Sequence, residues 1–224
     1  MGGSGSGVPI TRGGKFSTSS GALSNIIVDN NNAGLANSVS SSSGTYTIDA
    51  AGSGRGTVSF NVSGQTNTFT YVFYLISPTQ AFVQDQSIGI VEDGSMLAQG
   101  SGTISNSSLS GSYAINWSGI TSTDVGTGEE DLVGATSLSS GALTGTIDLN
   151  EFASGKQGAG IALTGTLKLS GDPTGHNTLT INLASNPANN GITAFAYVAN
   201  NNTILLMGTQ TVRITAGVLT PQAP

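Results

Sequence analysis

His176 is the only histidine and cysteine is absent, so imidazole and thiolate chemistry rests on one side chain. A nucleophilic triad needs a base within hydrogen-bond reach of a serine or cysteine, and an acid that orients the base. His176 stands in Asp172-Pro173-Thr174-Gly175-His176-Asn177, a run of turn formers with no nucleophile motif beside it, and reads as a solvated turn residue. A zinc or iron site meets the same shortage of ligands. Calcium takes oxygen ligands, and Asp124, Glu129, Glu130 and Asp131 share a Gly/Thr-rich segment that reads as a loop. Their spacing matches no EF-hand, so an acidic loop that aids solubility is the favoured reading, with calcium binding left open. Asp148 and Glu151 are the carboxylates to weigh for glycoside hydrolysis, but two acids three apart at a strand end read as exposed turn residues. Lys15, Lys156 and Lys168 are the lysines from which a spontaneous cross-link to Asn or Asp could start; their positions permit one without indicating it. No catalytic residue, metal ligand or cofactor is assigned, and the chain is read as not an enzyme.

Aromatic residues hold the remaining chemistry. Phe69, Tyr71 and Phe73 alternate with Val72 and Tyr74, and Tyr113 and Trp117 fall on one face of an extended segment. In a small barrel such residues fill the core, each contributing about 1.5–3 kcal/mol by burial. The sharper reading is a pocket for a small apolar molecule or a glycan, with Tyr71, Phe73, Tyr74, Trp117 and Tyr197 as ligand-binding candidates. Core is the favoured reading of the two.

Composition sets the frame these residues sit in. Charged residues make up 8% of the 224, against a usual level of about 25%, and Gly, Ser, Thr and Asn fill the space between apolar positions. Disordered chains combine high net charge with few β-branched or aromatic residues. Here the net charge is −6, and Val, Ile, Thr, Phe and Tyr recur in short alternating runs, which are strands. The negative balance and the lack of a basic stripe set nucleic acid aside. Gly52-Ser53-Gly54-Arg55-Gly56 lies between two strand-like runs and is read as a hairpin turn, not a phosphate loop. Met1 to Gly7 reads as an appended flexible linker outside the fold. No stretch reaches the roughly 18 apolar residues of a membrane helix.

Self-similarity organises the rest. Ser20-Gly21-Ala22-Leu23 returns as Ser140-Gly141-Ala142-Leu143, at an offset of 120. Gly44-Thr45-Tyr46-Thr47-Ile48 with Thr57-Val58-Ser59-Phe60-Asn61-Val62 returns as Gly165-Thr166-Leu167-Lys168-Leu169 with Thr178-Leu179-Thr180-Ile181-Asn182-Leu183, at an offset of 121. Both copies alternate apolar and polar residues around a Gly-containing turn, as an antiparallel hairpin with one buried face does. Gly102-Thr103-Ile104 and Gly217-Val218-Leu219 mark the last strand of each unit. The expected fold is all-β: two diverged copies of an antiparallel up-and-down meander of about eight strands each, forming two small barrels or one fused barrel or sandwich. Residues 8–107 make the first copy and 108–224 the second. The first lacks a counterpart of the strong strand at Tyr113-Ala114-Ile115-Asn116-Trp117, leaving a seam of unpaired backbone unless Val8-Pro9-Ile10-Thr11 fills it.

Three motifs carry a family resemblance: Leu109-Ser110-Gly111-Ser112-Tyr113-Ala114, the hairpin from Gly44 to Thr57, and the strand pair from Phe73 to Phe82. From about Gly13 onward the chain resembles the tandem β-rich, calycin-like repeat modules of large exported or cell-surface proteins of soil bacteria. The second copy departs in having His176 in the place of Arg55 and Leu where the first has Tyr. The resemblance implies a non-catalytic structural or adhesive module, secreted or on the cell surface, which could form filaments by strand pairing with itself or with neighbouring repeats. Its motifs are turns and strand ends and bring no catalytic residues. The alternative is a calycin-like binder of a small apolar ligand or glycan. No nucleic-acid partner and no membrane insertion of this segment are expected.

Overall fold

A computed structural model describes the chain apart from residues 6–7, 51, 63–67, 101–102, 124–125, 153–154, 171–176, 185–190, 200–201 and 224. His176 and Asp124 therefore lie outside the described residues. The chain is all-β and forms two eight-stranded barrels in sequence order, the second closed and the first closed by its first strand over part of its height. The first comprises β1 (Gly2–Gly5), β2 (Val8–Ser19), β3 (Ala22–Asn32), β4 (Leu35–Ile48), β5 (Arg55–Asn61), β6 (Thr68–Ser77), β7 (Gln80–Asp85) and β8 (Ile90–Leu97). The second comprises β9 (Gly111–Thr123), β10 (Gly126–Ser139), β11 (Ala142–Glu151), β12 (Lys156–Lys168), β13 (Asn177–Leu183), β14 (Ile192–Val198), β15 (Ile204–Gly208) and β16 (Arg213–Pro221). Among the described residues no helix is long and apolar enough to cross a membrane.

The repeated Ser-Gly has a backbone cause. Ser20 and Gly21 (φ 47° and 86°), like Ser140 and Gly141 (φ 50° and 87°), link β2 to β3 and β10 to β11. A two-residue hairpin loop whose hand matches the strand twist needs positive φ at both positions, and glycine reaches it without strain. These two turns set the same register beside the loop in both barrels, which a bulge between Lys15 and Ser17 then shifts in the first and nothing shifts in the second.

Three expectations change. Met1 to Gly5 is not outside the fold: Gly2–Gly5 forms β1, which pairs with β2 (Gly3 opposite Ile10) and with β8 (Gly3 opposite Glu92), joining the two ends of the first barrel's sheet. Glycine and serine have no apolar alternation to reveal a strand, but their backbone groups pair like any others. Val8-Thr11 does not fill the seam; it begins β2. The last strand of the first copy is Ile90–Leu97, and Thr103 and Ile104 lie in no strand.

The interiors differ. The second barrel packs Tyr113, Ile115, Trp117, Leu132, Leu143 and Leu179 into one continuous core. The first has a smaller cluster dominated by Phe60, Phe69, Tyr71 and Phe73, with Phe60 stacked on Phe69 at 5.5 Å and on Tyr71 at 6.0 Å between ring centroids. Side by side, the barrels touch through β2 and β3 of the first and β14, β15 and β16 of the second. Asn31 Nδ2 donates across this contact to the carbonyls of Gly208, Gln210 and Arg213 at 2.9, 3.1 and 3.0 Å.

Candidate functional site

The sequence-level candidates do not converge. Trp117 is 1% exposed and belongs to the second core. Tyr71 and Phe73 point into the first barrel. Tyr74, on the opposite face of β6, is 51% exposed and stands across from Phe82 on β7. Tyr197 is buried between the barrels, where a Cβ added to Gly13 would lie 3.2 Å from its ring. The five aromatics thus occupy four environments, and Tyr71 and Phe73 alone share an interior.

Strand alternation also separates the acids. Glu129 to Asp131 lie in β10, not in a loop, so Glu129 and Asp131 face outward while Glu130 is wholly buried. On β11, Glu151 points in, whereas Asp148 is exposed and its Oδ1 accepts from Gly160 N at 2.8 Å. Among the described residues no group of three His, Cys, Asp or Glu could hold a metal ion. Lys156 and Lys168 are exposed at the two ends of β12.

Sequence reasoning missed the buried ion pairs. In the first barrel, Arg12 of β2 donates from Nη1 to Asp85 Oδ2 at 2.5 Å and to Glu92 Oε2 at 2.6 Å, and from Nε to Asn30 at 2.8 Å. Its guanidinium lies 5.1 Å from the Phe69 ring centroid, a cation–π arrangement. In the second, Arg213 of β16 donates from Nε to both oxygens of Glu130 on β10, at 3.1 and 3.0 Å. Burial pushes Glu92 and Glu130 above the usual carboxylate range, and their arginines pull back part of that. Burial likewise raises the Tyr71 phenol. The polarity is reversed between barrels: arginine on the second strand and acid on the eighth in one, acid on the second and arginine on the eighth in the other. In each barrel the pair reaches across the first strand, with the acid level with a glycine (Glu92 with Gly3, Glu130 with Gly119) and the arginine two residues along, level with Met1 or Thr121. The signal available to find these pairs was charge inside an apolar alternation.

The registers show what is unusual about the first barrel. Gly119 of β9 lies between Glu130 and Thr215, and Trp117 between Leu132 and Gly217. In the first barrel Gly3 takes the seat of Gly119, and Met1 that of Trp117, exchanging hydrogen bonds with Arg12 (Arg12 N to Met1 O 2.9 Å; Met1 N to Arg12 O 2.8 Å). A Cβ on Gly94 would meet Met1 Cγ at 2.6 Å, as one on Gly217 would meet Trp117 at 3.0 Å. β9 then continues past Trp117 toward its beginning, with Ile115 opposite Gly134 and Tyr113 opposite Thr136. By the common register, the matching positions of β2 are Gly14 and Phe16. Among the described residues no strand lies between β2 and β8 there: β1 covers Val8 to Thr11 and Ile90 to Asp93 only.

A cavity of about 720 Å³ opens at this place. On the seam it is lined by Met1, Arg12, Gly14, Phe16, Gly94 and Met96, and inside the barrel by Ile26, Val28, Val58, Phe60, Tyr71 and Val83. Its outer margin reaches Lys15 and Ile27, and from the second barrel Tyr197, Leu206 and Met207. The wall inside the barrel is apolar and aromatic, with the Arg12 cluster at one end, and the outer margin is polar, with Gln80, Asp93, Ser95, Asn116 and Ser118. A scan against protein-family models and a search of the curated proteins each found no match to this chain.

Proposed function

We propose that this protein is a non-catalytic structural module of a secreted or cell-surface protein, and that it associates with other subunits by strand pairing at the open part of the first barrel's seam. The carrying observation is that β2 runs to Ser19 and β8 to Leu97, while β1 pairs with neither beyond Thr11 and Asp93. Unpaired strand edges are templates for another chain, and β-strand addition uses such edges for affinity and side-chain pockets for specificity. The low charge, the Ser/Thr/Asn-rich outer faces and the resemblance to exported repeat modules support the extracellular setting. Sedimentation velocity over a wide concentration range tests the association: dimers or longer species that grow with concentration are expected, and a monomer throughout overturns it.

A second reading has one specific observation behind it. The cavity lies within the roughly 300–1,000 Å³ of small-molecule pockets, and Tyr71, Phe60 and Val58 line it. An apolar fluorophore that saturates one site, without slowing amide exchange along β2 and β8, would favour a small-ligand binder over an assembly module.

A further inference from the structure

We infer that the outer face of β5, β6 and β7 is a binding site for an uncharged, ribbon-like glycan, stacked on Tyr74 and Phe82 and hydrogen-bonded at its edge by Arg55 and Asp49. The inference goes beyond the strand-pairing reading and does not draw on it, since β1 pairs with none of these three strands. Tyr74 and Phe82 are register partners on β6 and β7 and are 51% and 60% exposed. Arg55 is the partner of Tyr74 on β5. Its Nη1 donates to Asp49 Oδ2 at 2.8 Å, and both side chains are open to solvent. Adjacent strands lie about 4.8 Å apart, so guanidinium, phenol and phenyl ring make a strip about 10 Å long, room for two sugar rings.

The second barrel shows the same face when a protein surface covers it. Its sixth and seventh strands set Tyr197 opposite Leu205 and Phe195 opposite Met207, with Val218 and Ala216 next to them on β16. Tyr197 and Met207 are 4% and 1% exposed, and both stand against Gly13 of the first barrel. That face is apolar from centre to rim. At the same register positions the first barrel has Tyr74 and Phe82 in the centre, and Gln84, Ser95 and Asp93 where the second has Met207, Val218 and Ala216. All three are exposed. Under an apolar protein face they would lose water and gain no partner. A pyranose meets both halves of this surface, because its C–H faces lie on the negative faces of aromatic rings while each hydroxyl at its rim donates and accepts. The Arg55 and Asp49 pair holds donors and acceptors side by side with no net charge, and Asp93 repels anions, so an uncharged chain is selected. Three planar groups in line across three strands suit a chain with equatorial links, whose rings lie in a flat ribbon.

Cellohexaose and chitohexaose are the probes, titrated into the full protein and followed by amide shifts in NMR spectra. Saturable binding of at least one is expected below about 1 mM, some 4 kcal/mol of affinity, with the shifts centred on residues 55, 74 and 82. Tyr74→Ala and Phe82→Ala, both on the outer face, should each weaken binding at least about tenfold, a difference of about 1.4 kcal/mol, while Phe82→Tyr should retain it. Maltohexaose, whose axial links curl the chain, should bind at least about tenfold more weakly than the ribbon-like probe. The inference is overturned by failure of both probes to saturate by that concentration, by binding that ignores the two ring substitutions, by shifts that map to another face, or by equal binding of maltohexaose. Sedimentation of the Tyr74→Ala, Phe82→Ala double variant separates this proposal from the strand-pairing one. Association at the seam predicts that the double variant associates as the wild type does. Association lost in the double variant assigns the face to a second copy of the chain and overturns the glycan site.

Discussion

Arg213 is 3% exposed and Glu130 is 0%, so each depends on the other for its charge. Removing one member of a buried pair leaves an uncompensated charge and costs about 3–5 kcal/mol. Arg213→Met should therefore lower stability by about that amount near neutral pH, measured by urea unfolding. The same variant has a pH signature. Burial already raises Glu130 above its ordinary range, so the folded state holds that proton more readily than the unfolded chain does. Stability therefore increases as pH falls from the raised value toward the ordinary carboxylate range, and decreases as pH rises. Without Arg213 to offset burial, the gain on acidification should be larger than in the wild type; equal pH slopes would refute this account. Trp117 and Tyr74 make a second contrast. Trp117→Ala, within the filled barrel, should cost about 3–5 kcal/mol, and Tyr74→Ala, on the outer face, no more than about 0.5 kcal/mol. Nothing in the spacing of these two aromatics distinguished them, because a strand shows which residues share a face but not which face is inside.

Most of the strands could be read from alternation. Thr57-Val58-Ser59-Phe60 and Thr178-Leu179-Thr180-Ile181 are half-buried strands by period alone, and both are found as such in β5 and β13. Ser20-Gly21 and Ser140-Gly141 could be read as repeats, and the structure adds the reason in their paired positive φ values. β1 could not be read, since Gly2-Gly3-Ser4-Gly5 offers no side-chain period and a strand held by its backbone looks like a linker. Thr103 and Ile104 failed in the other direction, having strand-like residues without a partner strand. The acidic run at Glu129 suggested a loop by charge, yet its middle member is the buried one. These differences predict different dynamics for the two closing strands. β1 has hydrogen bonds but little apolar burial to hold it, whereas β9 anchors Tyr113, Ile115 and Trp117. Amides of residues 2–5 should exchange much faster than those of residues 113–119, and comparable protection would show that β1 is held by more than its ladder.

At the level of the whole molecule, the barrels are joined by a contact that tolerates little change. Gly34 has φ 86°, and a Cβ there would meet the carbonyl oxygen of Thr211 at 2.0 Å. Asn31 serves three carbonyls of the other barrel with one amide nitrogen. Asn31→Leu should release those carbonyls at a cost of about 1–3 kcal/mol and split calorimetric unfolding into two transitions, the first barrel melting earlier; a single unchanged transition would show that the barrels are coupled by other means. Tandem copies of one topology carry a hazard of their own, because equivalent strands can trade places while the chain folds. The buried ion pairs bear on that exchange. Each joins the second strand of its barrel to the eighth across the first, Arg12 to Glu92 and Glu130 to Arg213, so a strand drawn out of either barrel leaves an uncompensated charge behind it. The pairs thus work as latches that tie each strand to the barrel it belongs to.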